Sequence, residues 1–257
     1  MAEYTQFGQQ PFKYINGLRP RLSVDVPLTR IRVGAGIMID DTGSYQMIAP
    51  IDMSCDIDKS GAGGLDTGTI QPNTIYGLYF ITDLNNISSP SLLLSLNYGQ
   101  SVSLPWMPYG YNCYGFIGCV RIDSSGYVDK AVWLGANSYD RSVVYDTPIK
   151  VLNNGNDANY TFVSLTGVTP TIAYVKVNYN IDFNANAAGD VVNLKYDLSS
   201  SSQIIITAPV SGSVAHTTTA ATVLSRFTIN GPGIKYQITG GSVDIYVTGY
   251  ELFLPRG

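Results

Sequence analysis

Apolar and polar side chains alternate with a period of two along much of this chain, the spacing expected of strands buried on one face. The clearest run is residues 173–183. Val175, Val177, Tyr179, Ile181 and Phe183 fall on one face, and Lys176, Asn178, Asn180 and Asp182 on the other. Nearer the start, Leu22, Val24, Val26 and Leu28 alternate with Ser23, Asp25 and Pro27, which predicts another strand. Ile31 and Val33 follow, and Gly34-Ala35-Gly36 leads into Ile37 and Ile39. The run 243–254 turns apolar on both faces in its last residues, as expected of a strand with its own core on one side and a neighbouring subunit on the other. Between the runs lie Asp41-Thr42-Gly43, Ser124-Ser125-Gly126, Asn153-Asn154-Gly155 and Asn230-Gly231-Pro232-Gly233, residues that accept positive φ and close turns. Helical periodicity nowhere extends beyond about two turns.

These elements predict an all-β chain of two β-sandwich or jelly-roll-like domains. The first spans residues 21–136 and the second 157–257. Residues 137–156, with Asn137, Asp140, Asp146, Pro148 and the Asn153-Asn154-Gly155 cluster, read as a connector, and residues 1–20, with Gln6, Gln9, Gln10, Pro11 and Pro20, as an extended N-terminal arm. No fixed-period repeat supports a β-helix or propeller.

Composition adds to this picture. Of 257 residues 45% are apolar, enough for a sizeable core, but only 13% are charged, about half the share usual in soluble domains. Neutral polar surface suits subunit contacts, where charge is costly to desolvate. The net charge is −4, and the one basic cluster, Arg19, Arg21, Arg30 and Arg32, is interrupted by Asp25. Without a basic face, direct nucleic-acid binding is disfavoured. No apolar run reaches the ~18–20 residues of a membrane-spanning helix, and the first residues lack a secretory signal pattern, so neither membrane nor secretion is expected. Cys55, Cys113 and Cys119 form an odd set without a CxxC pair, which fits buried free thiols made in a reducing cytoplasm. That compartment disfavours a Cys113–Cys119 bridge.

Candidate chemistry is sparse, and no enzyme is expected. The single histidine, His216, sits in a Ser/Thr-rich stretch without a nucleophile elbow. The cysteines and His216 lack metal-ligand spacing. Only two glutamates, Glu3 and Glu251, are present, and the aspartates sit mostly in turn contexts, so the paired carboxylates of a glycan-cleaving enzyme are not expected either. Gly61-Ala-Gly-Gly-Leu-Asp-Thr-Gly68 lacks the lysine of a phosphate-binding loop and reads as a tight, close-packed turn. No catalytic, cofactor or metal residues are therefore assigned. What stands out is Trp106, Tyr109 and Tyr111, spaced by prolines into an aromatic ledge suited either to capping a sandwich end or to contacting a partner or ligand.

The glycine loop, followed by Asn73-Thr-Ile-Tyr76 and the apolar strand Gly77-Leu-Tyr-Phe-Ile-Thr82, resembles a motif of tailed-bacteriophage virion proteins. The resemblance continues through Leu92-Leu-Leu-Ser-Leu96, Leu104-Pro-Trp-Met-Pro-Tyr-Gly-Tyr111 and Ile117-Gly-Cys-Val-Arg-Ile-Asp123, and covers about residues 20–136. Ile75 departs from it, standing where an aromatic is common. It implies a β-sandwich module of the kind found on capsid decoration (cement) proteins, head fibres and tail fibres. The expected role is a capsid decoration protein, assembled in the host bacterial cytoplasm and carried on the virion as a homotrimer that clamps the major capsid protein, with the arm adding strand pairing. The alternative is a head-fibre or tail-fibre component whose aromatic ledge and second-domain loops bind a host surface glycan.

Overall fold

The computed structural model describes residues 14–98, 105–135, 141–171, 175–195, 203–208, 212–216 and 233–252. They form nineteen strands and no helix. In the first half these are β1 (Ile15–Gly17), β2 (Pro20–Leu22), β3 (Arg30–Val33), β4 (Gly36–Ile39), β5 (Gln46–Ala49), β6 (Met53–Asp56) and β7 (Gly64–Leu65). Three long strands follow, β8 (Thr74–Asp83), β9 (Asn86–Ser95) and β10 (Cys113–Ile122), and then β11 (Ala131–Leu134) and β12 (Arg141–Gly155). The remainder are β13 (Thr161–Ser164), β14 (Val175–Ala185), β15 (Val191–Lys195), β16 (Gln203–Thr207), β17 (Gly212–His216), β18 (Gly233–Ile238) and β19 (Ser242–Leu252).

Five sheets result, ordered β1-β4-β5, β2-β3-β6, β10-β8-β9-β7, β11-β12-β19-β14-β17 and β13-β18-β15-β16. The fold class is all-β, as the alternation predicts. All the ladders are antiparallel except β7 with β9. β8 is buried on both faces over eight consecutive residues from Ile75 to Thr82, which is why its sequence reads as a continuous apolar run instead of alternating.

β14 realises the predicted strand from Val175 onward, residues 173 and 174 lying outside the described ones: Val175, Val177, Tyr179, Ile181 and Phe183 are all buried. Their partners across the ladder are Leu252, Tyr250, Val247, Ile245 and Val243, so the inward face is a row of apolar cross-strand pairs. The doubly apolar end of β19 has a local cause. The register shifts between Asn178 and Tyr179, leaving Thr248 as an extra residue in β19. That bulge reverses the phase of the strand: odd positions up to Val247 point inward, and so do Tyr250 and Leu252 after it. Up to Leu252, then, the pattern is explained by one core and a bulge, without a neighbouring subunit. Gly249 beside the bulge lies so close to β12 that a Cβ there would run into the Val143 carbonyl oxygen.

Three other expectations are corrected. Residues 22–28 form the loop of the β2–β3 hairpin, not a strand beyond Leu22. The Ser23 amide donates to the Arg30 carbonyl and the Arg30 amide to the Val26 carbonyl, turning the chain back, while Pro27 has no N–H to offer a ladder. Of the proposed arm, residues 14–20 belong to the fold: β1 pairs with β4, β2 begins at Pro20, and Ile15 and Leu18 are buried. The rest of the arm lies outside the described residues. Finally, most of the expected connector is β12. It pairs with β11 from the expected first domain and with β19 from the second, so one sheet crosses the expected boundary. Buried residues of both halves belong to a single contiguous cluster. The Asn153-Asn154-Gly155 signal, with Asn154 at a φ of 50°, marks an irregular stretch at the end of β12 where the register shifts.

Candidate functional site

The aromatic loop, residues 105–112, is the one predicted site, and its position is set by the glycine loop. The latter closes on itself through Gly61 N–H to Leu65 O (2.7 Å) and Leu65 N–H to Lys59 O (2.8 Å). It docks on β9 through Gly63 N–H to Leu92 O and Asp66 N–H to Leu94 O, both 2.8 Å. Positive φ at Gly61 and Gly63 permits the path, and a Cβ on Gly64 would strike the Lys59 carbonyl. This is the tight, close-packed turn expected from the sequence.

The docked loop presents the Asp66 carboxylate to the aromatic segment. One oxygen, Oδ2, accepts from Ser95 Oγ (2.5 Å) and from the Trp106 amide (3.1 Å), while Oδ1 accepts from the Thr67 amide (2.7 Å). Ser95 is buried, and its hydroxyl accepts in turn from the Asn97 amide (2.9 Å). Tyr79 Oη donates to the Asn97 carbonyl at 2.9 Å, and Tyr76 Oη accepts from the Gln71 amide at 2.9 Å. At the far end of the loop the Asn112 amide donates to Thr82 O (3.2 Å), and its side-chain oxygen accepts from the Leu84 amide (2.8 Å). Between these anchors, a turn closed by Tyr111 N–H to Pro108 O (3.1 Å) has Gly110 at a φ of 85°.

So held, the three predicted residues divide. Trp106 is 68% exposed and Tyr109 fully exposed. Tyr111, with Met107, packs partly buried against the core. Tyr111 thus packs inward, while Trp106 and Tyr109 of the same loop face outward. No charged residue lies within 105–112, although the half-buried Asp66 carboxylate sits at its start and Asp83 meets the Asn112 side-chain amide at its end.

The basic cluster stays together, with Arg21 opposite Arg32 in the β2–β3 ladder, but its charge is offset by pairing. Arg30 meets Asp56 at 3.0 Å, Arg32 meets Asp25 at 2.7 Å, Arg21 pairs with Asp52, and Arg19 donates to the Trp133 carbonyl at 2.6 Å. Aspartates at the predicted turns shape those turns: Asp40 Oδ1 accepts the Ser44 and Tyr45 amides, and Asp123 Oδ1 those of Ser125 and Tyr127. All three cysteines are free and buried. Cys113 and Cys119 sit six positions apart on β10, roughly 20 Å at ~3.3 Å per residue, far beyond the span of a disulfide. Burial pushes the Cys55 thiol up to about 12, and that of Cys119 higher still. His216 is the last residue of β17, opposite Ile181, and its side chain lies outside the described ones. Among the described residues no group of three or more His, Cys, Asp or Glu side chains could hold a metal ion, and no helix is long and apolar enough to cross a membrane.

Sequence reasoning missed one polar centre. Arg141, in the expected connector, is 5% exposed. Its Nη1 donates to Ile117 O (2.6 Å) and Leu18 O (3.2 Å), and its Nη2 to Gly17 O (2.9 Å), tying β12 to β10 and to the turn between β1 and β2. No local pattern marks it, because its three acceptors are backbone carbonyls remote in sequence.

No protein-family model matches this chain, and no curated protein matches it.

Proposed function

We propose that this chain is a structural subunit of a tailed-bacteriophage particle, a capsid decoration protein that attaches to the shell through neutral and aromatic surface, without a catalytic step. The observation that carries the reading is the pair Trp106 and Tyr109, exposed on a loop anchored at both ends by hydrogen bonds. A backbone already held in place loses little freedom on docking, and large aromatics are the residues most often found at the energetic centre of an interface. The resemblance over about residues 20–136 supports the virion, and the low charge suits burial against another protein. A homotrimer bound to the major capsid protein is the form this reading takes. Any arm contribution is assigned to residues 1–13, because removing 14–20 would delete Ile15 and Leu18 from the core.

The test is the copy number of the chain relative to the major shell protein in purified particles, by quantitative mass spectrometry. A ratio near that of the shell protein is expected, and absence from the particle overturns the reading. The double variant Trp106→Ala/Tyr109→Ala is expected to lose attachment while keeping the wild-type unfolding midpoint.

A second reading, a head-fibre or tail-fibre component that binds a host surface glycan, is favoured by the same outward rings, since sugars stack their apolar faces on aromatics and bond to carboxylates such as that of Asp66 beside Trp106. A few copies per particle, with adhesion of the purified protein to host cells, would select it over decoration.

A further inference from the structure

β16 ends the sheet β13-β18-β15-β16, and no described strand pairs with its other side. Its ladder with β15 runs from Gln203 to Thr207 without a bulge. The phase of that ladder follows from its end, where the Ala208 amide donates to Asp190 O (2.8 Å) and the Ala208 carbonyl accepts from the Gly189 amide (2.9 Å). Backbone groups alternate in direction along a strand, so Ile206 and Ile204 also turn theirs toward β15. Gln203, Ile205 and Thr207 turn theirs to the open edge.

β10 is an end strand too, but its outer edge is occupied. Trp133 Nε1 donates to Cys119 O, and the Phe116 amide donates to the Asp41 carboxylate. Among the described residues nothing does this for β16. The strand also lacks a charge, a proline or a bulge, the devices that keep sheet edges from pairing with other chains. Ile206 is buried, whereas Ile205 is 55% exposed and Thr207 also faces solvent.

The sequence of the strand, Gln-Ile-Ile-Ile-Thr, has the same order of polar and apolar residues from either end. A two-fold axis at Ile205 therefore sets Ile205 opposite Ile205, Ile204 opposite Ile206 and Gln203 opposite Thr207. Apolar residues meet apolar ones, polar meet polar, and no like charges face each other. In that register the edge-facing residues of each copy exchange both backbone bonds with their opposites.

We propose that the outer edge of β16 is a self-association surface, and that its partner is β16 of a second copy, antiparallel and in register about Ile205. The pairing joins two four-stranded sheets into one that crosses the axis. The contact is isologous, so it is separate from any three-fold contact and links one oligomer to the next. It does not depend on the capsid reading.

The experiment is disulfide trapping in the full chain. Opposed residues of a hydrogen-bonded antiparallel pair have Cα atoms about 5.5 Å apart, within disulfide reach. Ile205→Cys, at an exposed position, is expected to fold and to give a covalent dimer on a non-reducing gel after mild oxidation. Thr207→Cys alone is expected to stay single, since its own counterpart lies about 14 Å away, but to cross-link when mixed with Gln203→Cys. The native thiols are buried and should leave the wild type uncross-linked. Ile205→Lys sets two like charges face to face and is expected to lower the sedimenting mass with the unfolding midpoint unchanged. Absence of a covalent dimer from Ile205→Cys would overturn the proposal, whether the edge is covered by the chain's own residues or taken by another protein. Equal trapping of Ile205→Cys and of Thr207→Cys alone would also overturn it, because that is collision without register.

Discussion

Residues 175–183 and residues 22–28 carry nearly the same message in sequence, yet they end in opposite places. Both alternate apolar with polar side chains. In β14 every apolar member is buried, with β19 on one edge and β17 on the other. In the hairpin loop Val24 is 88% exposed, and Val26 and Leu28 also face solvent. The difference lies in partners. β14 is received on one edge by the eleven-residue β19, whose inward apolar residues match it pair by pair, and on the other by the shorter β17. The 22–28 segment is interrupted by Pro27, and its backbone groups are taken by the Ser23–Arg30 and Arg30–Val26 bonds of a reversal. Periodicity makes a strand available, and it becomes one only where a ladder exists to receive it.

Five measurements press on that contrast. Phe183→Ala in β14 removes a fully buried ring and is expected to cost about 3–5 kcal/mol in denaturant unfolding. Alkaline pH should act next, through the buried groups of the sheets. Cys55 and Cys119, like Tyr145 and Tyr250, have their folded pKa values raised by burial. Above the unfolded thiol value of ~9 the unfolded chain ionises first. Stability is therefore full below about pH 8.5 and falls as pH rises toward the folded values, by roughly 1–2 kcal/mol per thiol at pH 10. A pH series of unfolding midpoints reads this directly, and a flat profile to pH 10 would contradict it.

Gly249→Ala forces a Cβ onto the Val143 carbonyl at the bulge that sets the phase of β19, and is expected to cost about 1–3 kcal/mol. Asp66→Asn weakens the anchor of the aromatic loop by about 1 kcal/mol. Its clearer signature is faster hydrogen exchange at the Trp106 amide, with the sheets unchanged. Val24→Thr, made where the same alternation failed to become a strand, should stay within about 0.5 kcal/mol of wild type. A loss comparable to that of Phe183→Ala would mean that the loop is packed after all.

Much of the candidate site was legible in the chain. The glycines from Gly61 to Gly68 announced a tight loop, and the proline-spaced aromatics announced a ledge. What could not be read was that Asp66 holds the Trp106 amide, forty positions away, or that Tyr111 turns inward while Tyr109 turns out. Such contacts depend on which strands lie side by side, and β-pairing carries little local record of its partner. The connector reading of 137–156 failed for the same reason. Asn, Asp and Gly there resemble a loop, but β11 and β19 offer ladders on both sides, and a long bulged strand fills the gap.

The sequence by itself determined the all-β class, the inward face of β14, the tight glycine loop and the turn roles of Asp40 and Asp123. Each of these rests on side-chain spacing or on the φ preferences of neighbouring residues. Tertiary structure alone decided that one sheet unites the two halves, that the bulge at Thr248 makes both phases of β19 face inward, that three of the four clustered arginines meet aspartates and that Arg141 is buried with no acid among the described residues. Those outcomes depend on residues far apart in the chain meeting in space, where burial and desolvation, not local spacing, determine the result.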